Sequence, residues 1–488
     1  MNHTSTLFVI PTYRLRDVAE TIEAYDANFR RNGHSVPLYV FDDSSLSNHE
    51  KYFHSLAATR TTNEVFYVGP REKEKFLQFL NSRLRDKKLE SLVRNLFRPS
   101  YGGNRNFSLM YTLGNFMVSA DDDMRPDALF ETGPETLAEN EVCRGRLHRA
   151  GDGTYISKSF DILSAFKDAL GLKVSQMPAH YQKGELLIDT AMDLETNTST
   201  GFSRENSLIL QEGRLSKHGR LSKDCVVKIA QTYRTGTNDV DALDYVNMFL
   251  DNEDQVDIEA LNDVYVLTNF RPVVTKKNWR IDCGVAGYDN RLGLPPFFPT
   301  RLRFEDYIYR LWVMQPGIAS AHVDAVQRHT KNNYMRNPMA MEVFNEELCS
   351  LLKRKIRDSV TSRHDLGIRF RYGGEVTLAD SEEILDKVTA VHRRVLTAAD
   401  GTRDPDRGGS MRMFAENLSK VFYGFEPDFF QQNVSRIVDD VISQIHASLE
   451  LWPTLVEICY LEKDKHSLPQ LRVRNRRART AAVPAAAA

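Results

Sequence analysis

A strand, a helix and a second strand near the N-terminus constrain this chain more than any other feature. Leu7-Phe8-Val9-Ile10 is a short apolar run ended by Pro11-Thr12. Val18, Ile22, Tyr25 and Phe29 follow at helical spacing until Asn32-Gly33. Leu38-Tyr39-Val40-Phe41 is a second apolar run, ended by Asp42-Asp43-Ser44-Ser45. Short apolar runs read as buried strands, and the three-to-four-residue period between them reads as an amphipathic helix. The whole falls within about 35 residues, the length of a βαβ unit, so the two strands are expected to be parallel. Glu64–Val68 reads as a third strand ended by Gly69-Pro70. Residues 71–98 read as charged helix, with Phe76, Leu80, Leu84, Leu89 and Leu92 at roughly helical spacing. Gly102-Gly103-Asn104-Arg105-Asn106 is a glycine turn that opens a further helix.

The next apolar run, Phe116–Ala120, enters three carboxylates, Asp121-Asp122-Asp123. A buried strand ending in acids puts hard oxygen ligands at the carboxyl edge of a sheet, where open α/β folds bind their ligands. Asp121 and Asp123 face the same way if the chain stays extended. Carboxylates so placed suit Mg2+ or Mn2+ and, through the ion, phosphate oxygens. An acidic turn closed by Pro126 gives the same pattern with no metal. This half has neither G-x-G-x-x-G nor G-x-x-x-x-G-K-[ST], which excludes an ordinary dinucleotide or P-loop site. Acids and backbone at strand ends are left to hold a nucleotide.

Composition narrows the setting. A net charge of −2 over 488 residues gives no general pull toward nucleic acid. Cys143, Cys225, Cys283, Cys349 and Cys459 are far apart, odd in number and without C-x-x-C spacing, so free thiols in a reducing compartment are expected. There is no apolar stretch of about 18 residues and no charged segment leading into a long apolar one. Neither a membrane span nor a signal peptide is expected, and a cytoplasmic location follows.

The second half carries its own cluster of signals. Gly284-Val285-Ala286-Gly287-Tyr288 is small and flexible, so a chain there is expected to approach a ligand closely. Pro295-Pro296-Phe297-Phe298-Pro299 makes a stiff loop. Arg303–Trp312 reads as a helix with Phe304, Ile308, Leu311 and Trp312 buried, and Glu305 and Asp306 in its first turn, where the helix dipole favours acids in any case. Gly317–Asp324 reads as a strand that runs on to His329. Residues 195–223 carry few apolar positions and read as a loop or insertion. Beyond Pro338 the period is helical, with one stripe at Phe344, Leu348, Leu351, Leu352 and Ile356. A second stripe runs from Phe430 to Leu449 and is expected to stop at Pro453. The arginine-rich tail after residue 466 is expected to be disordered.

Set side by side, Pro11-Thr12, Asp42-Asp43, Gly102–Asn106, Asp121-x-Asp123 and Glu305-Asp306 resemble, in order, the motifs of the GT-A glycosyltransferases of the family-2 type. The resemblance covers roughly residues 5–130 and 280–330. It implies an α/β GT-A fold, a Rossmann-like mixed sheet with flanking helices, followed here by a mostly helical C-terminal region. It also implies that Pro11, Thr12, Tyr13 and Arg14 pass along a nucleotide-diphosphate sugar, UDP- or GDP-linked. Asp42 and Asp43 would hold its base or ribose, and Arg105 and Asp122 would lie near the diphosphate. Asp121, Asp123 and His329 would hold Mn2+ or Mg2+. Gly287 and Tyr288 would meet the acceptor, Asp306 would be the general base of an inverting transfer, and Glu305 would assist it. Simpler structural roles stay open beside these: Asp42 and Asp43 as turn caps, Arg105 in a surface salt bridge, His329 as a packing residue. The implied organisation is a nucleotide-sugar half at 1–145, an insertion or lid at 146–270, an acceptor half at 271–337, a helical region at 338–465 and a tail at 466–488. The Q-x-x-R-W of processive synthases is absent. A nucleotidyltransferase would want a glycine-rich basic loop where Pro11-Thr12-Tyr13-Arg14 stands. A non-catalytic scaffold acting through the helical region is the remaining alternative.

Overall fold

The computed structural model describes residues 5–131, 146–149, 155–159, 161–179, 181–183, 222–236, 243, 250, 265–268, 273–275, 284–299, 305–313, 318–329, 340–358, 360–364, 367–370, 376–462 and 468–473. The N-terminal unit forms as its periodicity requires. β1 (Thr6–Thr12) pairs in parallel with β2 (Leu38–Asp42), and β2 with β3 (Val65–Val68). The crossovers are α1 (Leu15–Arg31) and α2 (His49–Ala58). After α3 (Pro70–Leu84), α4 (Lys87–Leu96) and α5 (Tyr101–Tyr111), β4 (Phe116–Ala120) returns to the other side of β1, again in parallel. Register sets Thr12 opposite Asp42 and Val9 opposite Ser119, so β1, β2 and β4 end at one edge.

The sheet continues with β5 (Met124–Glu131), β6 (Arg146–Arg149), β7 (Tyr155–Ser159), β8 (Gln182–Lys183), β9 (Val226–Gly236), β10 (Tyr265–Thr268), β11 (Val273–Thr275), β12 (Val285–Asp289) and β13 (Ile318–His329). A hairpin, β14 (Val360–His364) and β15 (Gly367–Phe370), stands apart, and β16 (Leu471–Val473) comes from the tail. The main path runs β16-β3-β2-β1-β4-β12-β9-β13-β11-β8 and is mixed in direction. The longer helices that follow are α6 (Ile162–Lys167), α7 (Glu305–Val313), α8 (Ala340–Asp358), α9 (Leu378–Gly401), α10 (Pro405–Phe425) and α11 (Ser435–Glu462). The molecule is thus α/β, a mixed sheet with flanking helices and a mostly helical C-terminal region.

Alternation along β1 divides the core. Phe8 and Ile10 point to a layer with Val18, Ile22, Tyr25 and Phe29 of α1 and with Ile162, Leu163 and Phe166 of α6. Val9 points to the opposite layer, built from α3, α4, α5, α7 and the C-terminal helices. The C-terminal region belongs to this second core: Trp452 is fully buried, lies 5.9 Å from Phe97 and donates its indole N–H to the Leu294 carbonyl at 2.9 Å.

Several expectations are corrected. Residues 146–270 are not only an insertion, because β9 lies between β12 and β13 on the main path of the sheet. Residues 284–288 are not a flexible approach but mainly β12, buried throughout. The tail is ordered at Leu471–Val473, where β16 covers the outer edge of β3 and Arg472 meets Glu64. Pro453 does not stop its helix but lies inside α11. The cost of an internal proline is about 3 kcal/mol. Trp452, Leu455, Val456 and Cys459 are buried around it, at about 1.5–3 kcal/mol for each large side chain, which is enough to carry the helix through. Among the described residues no helix is long and apolar enough to cross a membrane. Cys225, Cys349 and Cys459 are buried free thiols.

The start of α5 depends on two glycines. Ser100 caps the helix by accepting the Gly103 N–H at 3.0 Å. A Cβ on Gly102 would fall on the Phe298 carbonyl, and one on Gly103 on the Arg98 carbonyl, both backbone atoms. Gly102→Ala is therefore expected to lower stability by about 2 kcal/mol, within the range of overpacked cores. Urea unfolding checks this: an unchanged midpoint would mean the 294–299 loop yields freely.

Candidate functional site

The carboxyl edge of β1, β2 and β4 gathers side chains from distant parts of the chain. After β4 the backbone does not stay extended: the Met124 N–H closes a turn on the Asp121 carbonyl at 3.1 Å. Asp121 and Asp123 consequently engage different partners. Asp121 Oδ1 accepts from Arg105 Nη2 at 2.8 Å, and Asp123 Oδ2 from Arg14 Nη2 at 2.6 Å. Asp122, between them, is buried, accepts from Thr12 Oγ1 at 2.6 Å and from Arg14 Nε at 3.2 Å, and pairs also with Arg14 Nη2. Thr12 receives the Arg14 N–H at 3.0 Å, so the loop after β1 is tied to the acidic turn through one hydroxyl.

Arg105 reaches the same place from α5. It is buried, its guanidinium lies 5.8 Å from the Phe297 ring centre, and its Nε stands 3.4 Å from Glu305 Oε1. Asn106, next in sequence, fixes the loop that leads to Glu305: its amide donates to the Leu96 and Phe297 carbonyls at 2.8 and 3.0 Å and accepts the Phe297 N–H at 2.7 Å. Glu305 is buried, and Asp306 is half-buried one residue further round α7.

Asp42 and Asp43 separate into different roles. Asp42 is fully buried and accepts from Ser44 N–H (2.7 Å), Ser44 Oγ (2.9 Å) and Tyr67 Oη (2.7 Å). Burial raises its carboxyl above the ordinary range, and its oxygens cap the turn after β2. Asp43 accepts from Lys73 Nζ at 2.8 Å and from the Ser100 N–H at 2.8 Å. Lys73 also donates to Asn104 Oδ1 at 2.7 Å, and Asn104 donates to the Phe41 carbonyl at 3.0 Å. Lys73 was missed in the sequence, although it shares the buried stripe of Phe76, Leu77 and Leu80 at helical spacing.

At the rim, Tyr13 is 55% exposed and Tyr101 42%, with their rings edge to face at 6.5 Å. Pro11 pairs with Phe41 inside the sheet. His329 is the last residue of β13 and pairs with Met124, which places its backbone beside the acidic turn. The expected acceptor residues do not belong to this edge. Space above Gly287 is filled by Phe166 and Leu170 of the α6 segment, and Tyr288 is fully buried against Phe297 and Tyr309. The glycine there serves close packing of a helix on a strand.

Four carboxylates and two guanidinium groups meet at the turn. Asp122 and Asp123 pair with Arg14, and Asp121 and Glu305 pair with Arg105. Burial raises the Asp121 carboxyl from 3.8 to about 7; Arg105 opposes this, and Asp123, Asp122 and Glu305 add to it. A hard divalent cation suits carboxylate oxygen ligands. Asp121, whose side chain is 35% exposed, and Asp123 are the residues that would hold it. Among the described residues no three His, Cys, Asp or Glu side chains stand gathered as a ligand set.

A carboxyl raised in the folded state binds more protons folded than unfolded. Its contribution to stability is complete below about pH 4 and is lost as pH rises through about 7. Without metal, the melting temperature of the wild type is therefore expected to rise relative to that of Asp121→Asn on going from about pH 8 to about pH 5. Parallel pH profiles would show that Asp121 is not strained in this way.

No protein-family model matches this chain, and no curated protein and no solved structure matches it either, so its functional reading rests on these residues.

Proposed function

We propose that this chain is a metal-dependent glycosyltransferase of GT-A type, moving a sugar from a UDP- or GDP-linked donor to an acceptor hydroxyl. One observation carries the reading. Segments that match the resemblance in order, Thr12–Arg14, Asp43, Arg105, Asp121–Asp123 and Glu305, form linked polar networks at the carboxyl edge of the parallel strands. That edge is where open α/β sheets hold nucleotides. A cytoplasmic setting belongs to the same proposal.

Mn2+ or Mg2+, held by Asp121 and Asp123, would supply charge stabilisation for the departing nucleoside diphosphate. The chain's own residues do the rest. Arg14 and Arg105 flank the acidic turn and orient the diphosphate. Asp43, braced by Lys73 and the Ser100 N–H, presents a carboxylate at the end of β2 toward the ribose. Tyr13, exposed beside it in the β1 loop, lies along the nucleotide. Glu305 holds Arg105 in place, and Asp306, about 100° round the helix, takes the acceptor proton. It stands in the first turn of α7, where the helix dipole favours an acid.

The test is donor turnover. Incubation with UDP- and GDP-sugars and Mn2+ is expected to release nucleoside diphosphate, and Asp121→Ala to release none. Pyrophosphate from a nucleoside triphosphate would point instead to a nucleotidyltransferase, and neither turnover nor nucleotide binding to a scaffold. Asp306→Asn is expected to lower kcat about a hundredfold with donor affinity unchanged within about threefold, as for loss of a positioned base. Normal turnover in Asp306→Asn with loss in Glu305→Gln would move the base to Glu305.

A further inference from the structure

We infer that Arg14 is an internal counter-ion that closes the acidic turn when no cation is bound and is released toward the diphosphate when one arrives. The inference rests on the glycosyltransferase reading for the identity of the anion, but its core concerns the cation and the arginine. Arg14 spans both carboxylates after Asp121: Nη2 meets Asp123 Oδ2 at 2.6 Å and also Asp122 Oδ1, and Nε meets Asp122 Oδ2 at 3.2 Å. A cation on the oxygens of this turn competes with the guanidinium for the same lone pairs, because the charge of each disfavours the other at contact distance.

The two arginines of the site differ in freedom. Arg105 is 6% exposed, set against Phe297 and tied to both Asp121 and Glu305, so it is built in. Arg14 has a side chain 24% exposed, on the loop after β1, resting near the exposed ring of Tyr13 at 5.3 Å. Its secondary contact is Asp17 at 3.7 Å, at the rim. Asp122 does not depend on Arg14 alone, since Thr12 Oγ1 holds it at 2.6 Å. Arg14 can therefore swing outward by rotation about its side chain, with Thr12 and Asp122 left in place. Once outward, it faces the solvent side of the turn, where a phosphate joined to the cation would lie. Cation binding then frees a phosphate ligand, and phosphate binding removes a competitor of the cation. The two ligands become mutually cooperative, and by linkage each strengthens the other by the same factor.

The test uses the full chain and two probes, Mn2+ alone and UDP. Free Mn2+ is read from the electron paramagnetic resonance of the aqueous ion, and UDP affinity by calorimetry with and without Mn2+. Arg14→Met keeps an unbranched stem of moderate length and removes the charge and the fork. Without nucleotide it is expected to bind Mn2+ about tenfold more tightly than the wild type, within the usual range of coupling between sites. Its UDP affinity is expected to fall, and the factor by which Mn2+ improves UDP binding to shrink toward one. Arg14→Lys, a cation without the fork, should fall between the two. Unchanged or weaker Mn2+ binding in Arg14→Met overturns the inference, because the arginine would then orient the carboxylates rather than compete for them. Should Arg14→Met not fold, Arg14→Lys decides: Mn2+ affinity equal to that of the wild type overturns the inference. Failure of the wild type to bind UDP under any condition would overturn the sugar-nucleotide reading, while tighter Mn2+ binding by Arg14→Met would still support the counter-ion.

Discussion

Buried carboxylates must be balanced, and the architecture follows from how this chain balances them. Asp122, Asp123 and Glu305 are almost entirely removed from water. An uncompensated buried charge costs several kcal/mol, more than most single contacts return. The compensation comes from arginines far away in sequence: Arg14 to Asp122 spans 108 residues and Arg105 to Glu305 spans 200. Each pair therefore joins elements that the local chain does not join. Arg14 pins the loop after β1 onto the turn after β4, and Arg105 pins α7 onto α5. Desolvation is the main cause of the raised Asp121 carboxyl; Arg105 opposes it, and the neighbouring carboxylates add to it.

The loop beneath that balance is held in part by the C-terminal helices. The 294–299 loop carries Phe297 beneath Arg105 and leads to Glu305. It is held by Asn106 on one side and by the Trp452 indole on the Leu294 carbonyl on the other. Phe297 and Tyr309 stack at 3.7 Å, which couples the loop to α7 itself. The helical region is thus part of the scaffold of the candidate site. Its own interior continues that of α3, α4 and α5 without a break.

Much of the parallel half was legible in the sequence, because its signals are local. Leu7–Ile10, Leu38–Phe41 and Phe116–Ala120 are short apolar runs with polar ends, and nothing competes with a strand there. The failures share a different cause. Gly287 looks permissive from its sequence neighbours, but Phe166 and Leu170, some 120 residues earlier, decide what it touches. β9 lies in a stretch whose surroundings are polar, and its place between β12 and β13 is a pairing fact with no local signature. Leu471-Arg472-Val473 did carry the two-residue alternation of a half-buried strand, hidden within a basic run. At the site, the acids were found but their partners were not. The sequence shows that Asp121 and Asp123 are two apart, whereas the turn that redirects them depends on a hydrogen bond and on two arginines.

The contrast between Asp42 and Asp43 shows why adjacent acids at a strand end need not share a role. Asp42 is the last residue of β2 and faces inward, where Tyr67 and Ser44 satisfy both of its oxygens and burial disfavours its charge. Asp43 is one residue further, on the opposite side, and is held by a lysine and a backbone N–H on the site's side of the sheet. The same alternation separates Glu305 from Asp306, with a helical rather than an extended period. In both pairs one acid braces the framework and its neighbour stands nearer the open edge. A site assembled this way keeps its geometry through buried partners drawn from distant parts of the chain.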